Sequence, residues 1–200
     1  AGSGQRGEHR AFRLVAGGRL ALLPLEPLLS EGHFIEVDRV AVEVGPHATF
    51  YFESYDTMWL QVHEMLYIER GGDEQIEDEL RAYNPLIPQK GELVATLMFE
   101  IDDPGVRARV LRQLTDIEGA AFIDIGGERV KASFETDVDR TAEDGKTSSV
   151  HFLRFTLTQA QVTRFRDPGT PVMVGFMHAN YGHIAVMQAS SRQELAKDLA

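Results

Sequence analysis

Residues 175–186 read GFMHANYGHIAV, two apolar runs separated by the polar tetrad Ala179-Asn180-Tyr181-Gly182. Extended outward, PVMVGFMH (171–178) and HIAVM (183–187) are arms of strand length on either side of a segment of turn formers, which is the pattern of an antiparallel hairpin. The segments before it mix the two periods. ELVATLMFEID reads as a buried strand, VRARVLRQLTDIEG as a helix, and AAFIDIGGERVKASF as a strand pair broken at Gly126-Gly127. DVDRTAEDGKTSS is a polar, solvated loop, SVHFLRFTLT a strand and QAQVTRFRD a short helix; SRQELAKDLA closes the chain as a helix.

Towards the N-terminus, FIEVDRVAVEVG alternates as a strand, Gly45-Pro46 breaks it, and HATFYFE forms a second strand. Ser54 is placed to cap a helix in which Tyr55, Trp59, Val62 and Leu66 recur at three- and four-residue steps, ending at Gly71-Gly72. DEQIEDELRAYNPLIP starts with acidic residues, as a helix dipole favours, and stops near Asn84-Pro85. Strands and helices alternate without a strict βαβ order, so the expected class is α+β: a mostly antiparallel sheet with a helical hairpin and short packing helices. Residues 1–33 are expected to form an N-terminal arm, Pro24 and Pro27 arguing against one continuous helix there, and residues 34–200 a single α+β domain.

Composition narrows the chemistry. The 200-residue chain has no cysteine, which removes disulfides, thiolate metal sites and thiol nucleophiles, so any metal must be held by His and carboxylate. No apolar run approaches the roughly 20 residues of a membrane span, and the N-terminal AGSGQRGEHR lacks the apolar core of a secretory signal; a cytoplasmic protein is expected. The net charge of -11 is concentrated, with 13 acidic and 3 basic residues in 51–104 against 12 of each in 105–200. Such a surface repels phosphate backbones and attracts cations or a basic partner.

Two regions carry candidate chemistry. With a four-residue turn, His178 and His183 become the closing cross-strand pair of the hairpin and leave the sheet on one side. His151 alternates with Leu153, Phe155 and Leu157 in its strand, and three histidines on neighbouring strands suffice for a divalent metal with an open position. Tyr181, at the turn, is the candidate catalytic residue as a proton donor or ligand-orienting group. The second region is the helix after Ser54, where spacing aligns Asp56 with His63 and Glu53 with Glu64; Glu53 or Glu64 completes the proposed sphere. Against both stands the plainer reading, in which hairpin-tip histidines bond loop backbone and an acidic helix face is merely solvated. Asp144-Gly145-Lys146-Thr147-Ser148 lacks the leading glycine of a phosphate loop, and the chain contains neither Glu-x-x-His nor a Gly-x-Ser-x-Gly elbow.

VGPHATFYFESYDTMWLQVHEMLYIERGGDEQIEDELRAYNPLIP, then ELVATLMFEIDDP, GKTSSVHFLRF and HANYGHIAV, together resemble in order the bacterial domain-of-unknown-function family 3501 from about Val40 to Val186. His63 departs from the family pattern, which has Gln there. The resemblance implies an uncharacterised protein in a setting of iron, peroxide or electron transfer, because genes of the family lie beside those of a rubrerythrin-like protein and an iron–sulfur oxidoreductase. Iron is then expected ahead of manganese or zinc. Two functional expectations follow: a metal-dependent oxidoreductase in redox metabolism or peroxide detoxification, with His178, His183, His151 and Glu53 or Glu64 as ligands; or a non-catalytic accessory protein that docks a rubrerythrin-like or iron–sulfur redox partner through the acidic hairpin around Glu74, Glu77, Asp78 and Glu79. Uncovered sheet edges add an expected homodimer.

Overall fold

The computed structural model describes residues 10–15, 19–24, 37, 39–134 and 145–199, and the chain divides into two compact units, 1–38 with 55–87, and 39–54 with 88–200. In the first unit, β1 (Arg10–Val15) and β2 (Arg19–Pro24) form an antiparallel hairpin, so the segment before Pro24 is strand. The same unit holds the helical hairpin of α1 (Tyr55–Glu69) and α2 (Asp73–Tyr83), which begins and ends where the apolar spacing and the Gly-Gly pair place it. Arg70 takes a left-handed φ of 54° to end α1, and Gly72 stands at φ 75°, ψ -157°, a region essentially reserved for glycine. Residues Phe34–Glu36 and Asp38 of the expected first strand lie outside the described residues, as does most of the polar loop (135–144).

The second unit is built on two four-stranded antiparallel sheets. One has the order β3 (Ala41–Val44), β4 (Ala48–Glu53), β5 (Glu92–Phe99), β8 (Val150–Thr156); the other runs β10 (Ile184–Val186), β9 (Val172–Phe176), β6 (Ala121–Ile125), β7 (Glu128–Lys131). The sheets adjoin at both edges: Ser133 bridges to Arg154 beside β7 and β8, and β10 lies beside β3. Register explains which side chains are inside. Val42, Phe50, Leu97 and His151 form one inward row, and Ala185, Val174, Ile123 and Val130 face them from the second sheet. Three helices complete the unit: α3 (Pro104–Leu111), α4 (Gln159–Arg166) and α5 (Ala189–Asp198). α4 starts with a full capping box, the Thr158 hydroxyl accepting from the Gln161 amide while the Gln161 side chain accepts from the Thr158 amide. The α+β class and the predominance of antiparallel pairing are as expected from the sequence.

The expected helix over 106–119 is shorter than its pattern. α3 stops at Leu111, Asp116 turns left-handed at φ 60°, and a 3-10 turn, Ile117–Ala120, leads into β6. Leu111, Leu114 and Ile117 keep their buried spacing, but the carbonyls that continued helix would occupy are taken from outside: Thr147 N donates to Leu111 O, Asn180 Nδ2 to Gln113 O and His178 Nε2 to Thr115 O. Tertiary hydrogen bonds here replace the last helical turns.

Candidate functional site: the histidine hairpin and the buried His151 cluster

The hairpin of β9 and β10 closes more tightly than a four-residue turn allows. Ile184 pairs with Gly175, Phe176 N donates to His183 O, and the last bridge is His178 with Tyr181, leaving Ala179-Asn180 as the turn. His178 and His183 are therefore not a cross-strand pair: His178 faces Tyr181, and His183 faces Phe176. Continuing the register, the two histidines still share the sheet face that Tyr181 and Phe176 occupy, offset by one pair.

The side chains of His178 and Tyr181 are tied to backbone. His178 Nε2 donates to Thr115 O at 3.0 Å and its Nδ1 accepts from Asn180 N at 3.2 Å, so both ring nitrogens are engaged and the proton sits on Nε2. Tyr181 is buried, and its hydroxyl donates to Val44 O (2.8 Å) while accepting from His47 N (3.0 Å) and Ala48 N (3.1 Å). One donor and two lone pairs are all that a phenol has, so the group is saturated by the β3–β4 turn. Burial raises its pKa, with the two amide donors pulling the other way. His183 is exposed, and its ring packs edge-on to Tyr181 (centroids 4.6 Å) above Gly45. Gly45 has φ 70°, and a Cβ there would lie 2.6 Å from His183 Cγ and 2.9 Å from the Tyr181 hydroxyl, so only glycine fits under the clasp.

His151 lies on the inner face of β8, as its alternation with Leu153 and Phe155 implies, and is 0% exposed. Phe99 separates it from the hairpin, with ring centroids 6.2 Å from His151 and 5.9 Å from Tyr181. Its neighbours were not legible as a motif. Nε2 donates to Ser148 O at 2.9 Å and lies 3.4 Å from Thr147 Oγ1, while Nδ1 faces Glu118 Oε2 at 3.5 Å. Hydroxyl, imidazole and carboxylate thus stand in the order of a nucleophilic triad, but the Ser148 carbonyl requires a proton on Nε2, the atom that would have to accept one. Thr147, expected in a solvated loop, is 1% exposed, so no substrate reaches it. The arrangement binds the 145–151 segment to the 111–118 segment, reinforced by Thr115 Oγ1 donating to Gly145 O at 2.8 Å.

The carboxylates proposed with these histidines lie elsewhere. Glu53 belongs to β4 rather than to the helix, so it has no helical alignment with Glu64. It is buried on the opposite face from His151, where Oε1 accepts from Arg39 and from Thr96 Oγ1 (2.5 Å), and the Arg39 guanidinium lies 4.9 Å from the Tyr51 ring centre. Glu64 is exposed on α1 in the other unit. On the same helix His63 is buried against Trp59 (centroids 4.0 Å) with Nδ1 donating to Trp59 O at 2.7 Å, and burial lowers its pKa, while Asp56 is exposed. Among the described residues no three His, Asp or Glu side chains are grouped so that they could hold a metal ion, and no helix is long and apolar enough to cross a membrane.

The chain is similar to a novel protein of unknown function from Burkholderia pseudomallei K96243, with 37% sequence identity over 80% of this chain and 83% of that one and a TM-score of 0.73. No curated protein matches it. The sequence model described as "Protein of unknown function (DUF3501)" matches residues 35–199, which include the whole histidine hairpin and both long helices; the chain belongs to that family.

Proposed function

We propose that this chain is a cytoplasmic bacterial accessory protein that docks a redox partner through its acidic helical hairpin, the histidines serving as a structural clasp. The observation that carries this reading is the surface of α1 and α2. Residues 55–87 hold 8 acidic and 2 basic residues, and Glu64, Glu69, Glu74, Glu77 and Asp78 are exposed. Asp78 makes an exposed contact with Arg81 at 2.8 Å, and two basic residues do not neutralise eight acidic ones, so much of the field is left for a basic surface. The rubrerythrin-like and iron–sulfur proteins implied by the family resemblance supply the class of partner. Calorimetric titration against each tests the reading. Binding that weakens with salt and with Glu64→Gln, Glu74→Gln and Glu77→Gln supports it; binding indifferent to both refutes it.

The metal-dependent oxidoreductase reading draws its support from the same gene context, with iron ahead of manganese or zinc. It has less from geometry, because His178 and His151 spend ring nitrogens on carbonyls. Metal analysis of the protein beside a folded His178→Ala, His183→Ala variant tests it: stoichiometric metal lost in the variant establishes that reading. Pairing of two copies would use the outer face of β10, where Ile184 and Val186 are exposed near Met177; a monomer in light scattering, unchanged by Ile184→Glu, excludes such a dimer.

A further inference from the structure

We infer that the end of α1 carries the anchor of the docking surface and that its occupant is a basic amphipathic helix. This rests on the docking function proposed above and adds the chemistry of the partner. Tyr67 is 68% and Ile68 71% exposed, among the most exposed large apolar side chains described. Glu64 precedes them by three and four residues, so all three share one face of the helix. The hairpin around the pair is acidic, with Glu69 next in the chain and Glu74 and Glu77 exposed on the neighbouring helix. An exposed apolar pair in a negative field is complemented by a helix with one apolar and one Lys/Arg face, which sets its apolar side chains on Tyr67 and Ile68 and its cations towards the carboxylates.

The tip is also held in place before any partner arrives. The two hydrogens of Gln75 Nε2 are shared among Glu69 Oε2 (2.8 Å), Glu79 Oε1 (3.1 Å) and Met65 O (3.3 Å), and its Oε1 accepts from Gly71 N (2.7 Å). One side chain thereby ties the end of α1, the connecting turn and the start of α2 together. A surface ordered in advance loses less entropy on binding.

Fluorescence anisotropy with the full chain and two labelled peptides of equal length and lysine count tests the inference, one peptide an amphipathic Leu/Lys helix, the other with each Leu replaced by Gln. The amphipathic peptide is expected to bind at least about tenfold tighter. Tyr67→Ser with Ile68→Ser, both exposed and checked for unchanged circular dichroism, should remove that advantage, whereas Glu64→Gln with Glu74→Gln should weaken both peptides. Gln75→Ala should weaken the amphipathic peptide without touching its contact residues. Equal binding of the two peptides, or an advantage that survives in the Tyr67, Ile68 variant, overturns the anchor while leaving charge-driven docking intact. Failure of both peptides to bind overturns it too, and the partner titration then decides whether docking itself survives.

Discussion

Replacing Tyr181 by Phe removes one oxygen and leaves three backbone groups to account for. Val44 O loses its donor, and the amides of His47 and Ala48 lose their acceptor. The bonds to Val44 and Ala48 are buried and the one to His47 is partly buried. A buried polar group left unsatisfied costs about 1–2 kcal/mol and a partly solvated one about half that, so the substitution should cost about 2.5–5 kcal/mol. At the 2–4 °C per kcal/mol usual for chains of this size, that is a fall in Tm of about 5–20 °C. Urea unfolding followed by circular dichroism measures it, with an unchanged m-value confirming that the native state is otherwise preserved. A loss below about 1 kcal/mol would show that the hydroxyl does not hold the β3–β4 turn.

Gly45→Ala should destabilise by about 2 kcal/mol or more, part from the left-handed φ and part from collision with His183; adding His183→Ala should recover the second part only, and no recovery would place the whole cost in the backbone. Burial holds His63 below its usual pKa, so as pH falls through about 6.5 the unfolded chain takes up a proton that the native state declines, and stability falls until the lowered value is passed. His63→Gln should flatten that acid slope in urea titrations between pH 7 and pH 5 (about two units spanning the histidine range), and an unchanged slope would contradict the assignment. Glu118→Ala and His151→Ala should each cost about 3 kcal/mol, since each removes the group that the other faces at 3.5 Å inside the sandwich, while the double variant should cost clearly less than their sum. Strict additivity would show that the two groups do not interact.

What the sequence made legible was local. Alternation and turn formers located the β6–β7 and β9–β10 hairpins, three- and four-residue spacing located α1, and QAQVTRFRD read as the short helix α4. The illegible parts depend on partners distant in the chain. Nothing in 106–119 announces that Asn180 and His178 capture the carbonyls which end α3. Glu118 and His151 stand 33 residues apart with no spacing to join them, and Thr147 reads as loop because its burial comes from the segment it packs on. The closing pair of the hairpin was misplaced for a related reason: Tyr181 looks like a turn residue beside two histidines, but the saturated pocket beneath the β3–β4 turn draws it inward and shortens the turn to two residues.

Titration of the rubrerythrin-like protein, and separately of the iron–sulfur oxidoreductase, with three forms of the chain tests the account most directly: unaltered, His178→Ala with His183→Ala, and Glu64→Gln with Glu74→Gln and Glu77→Gln. Docking through the acidic hairpin requires that at least one partner bind the unaltered chain and the histidine variant alike and bind the carboxylate variant more weakly by about tenfold or more at low salt. Loss of binding in the histidine variant with full binding in the carboxylate variant would contradict it, and would move the function to the hairpin of His178 and His183.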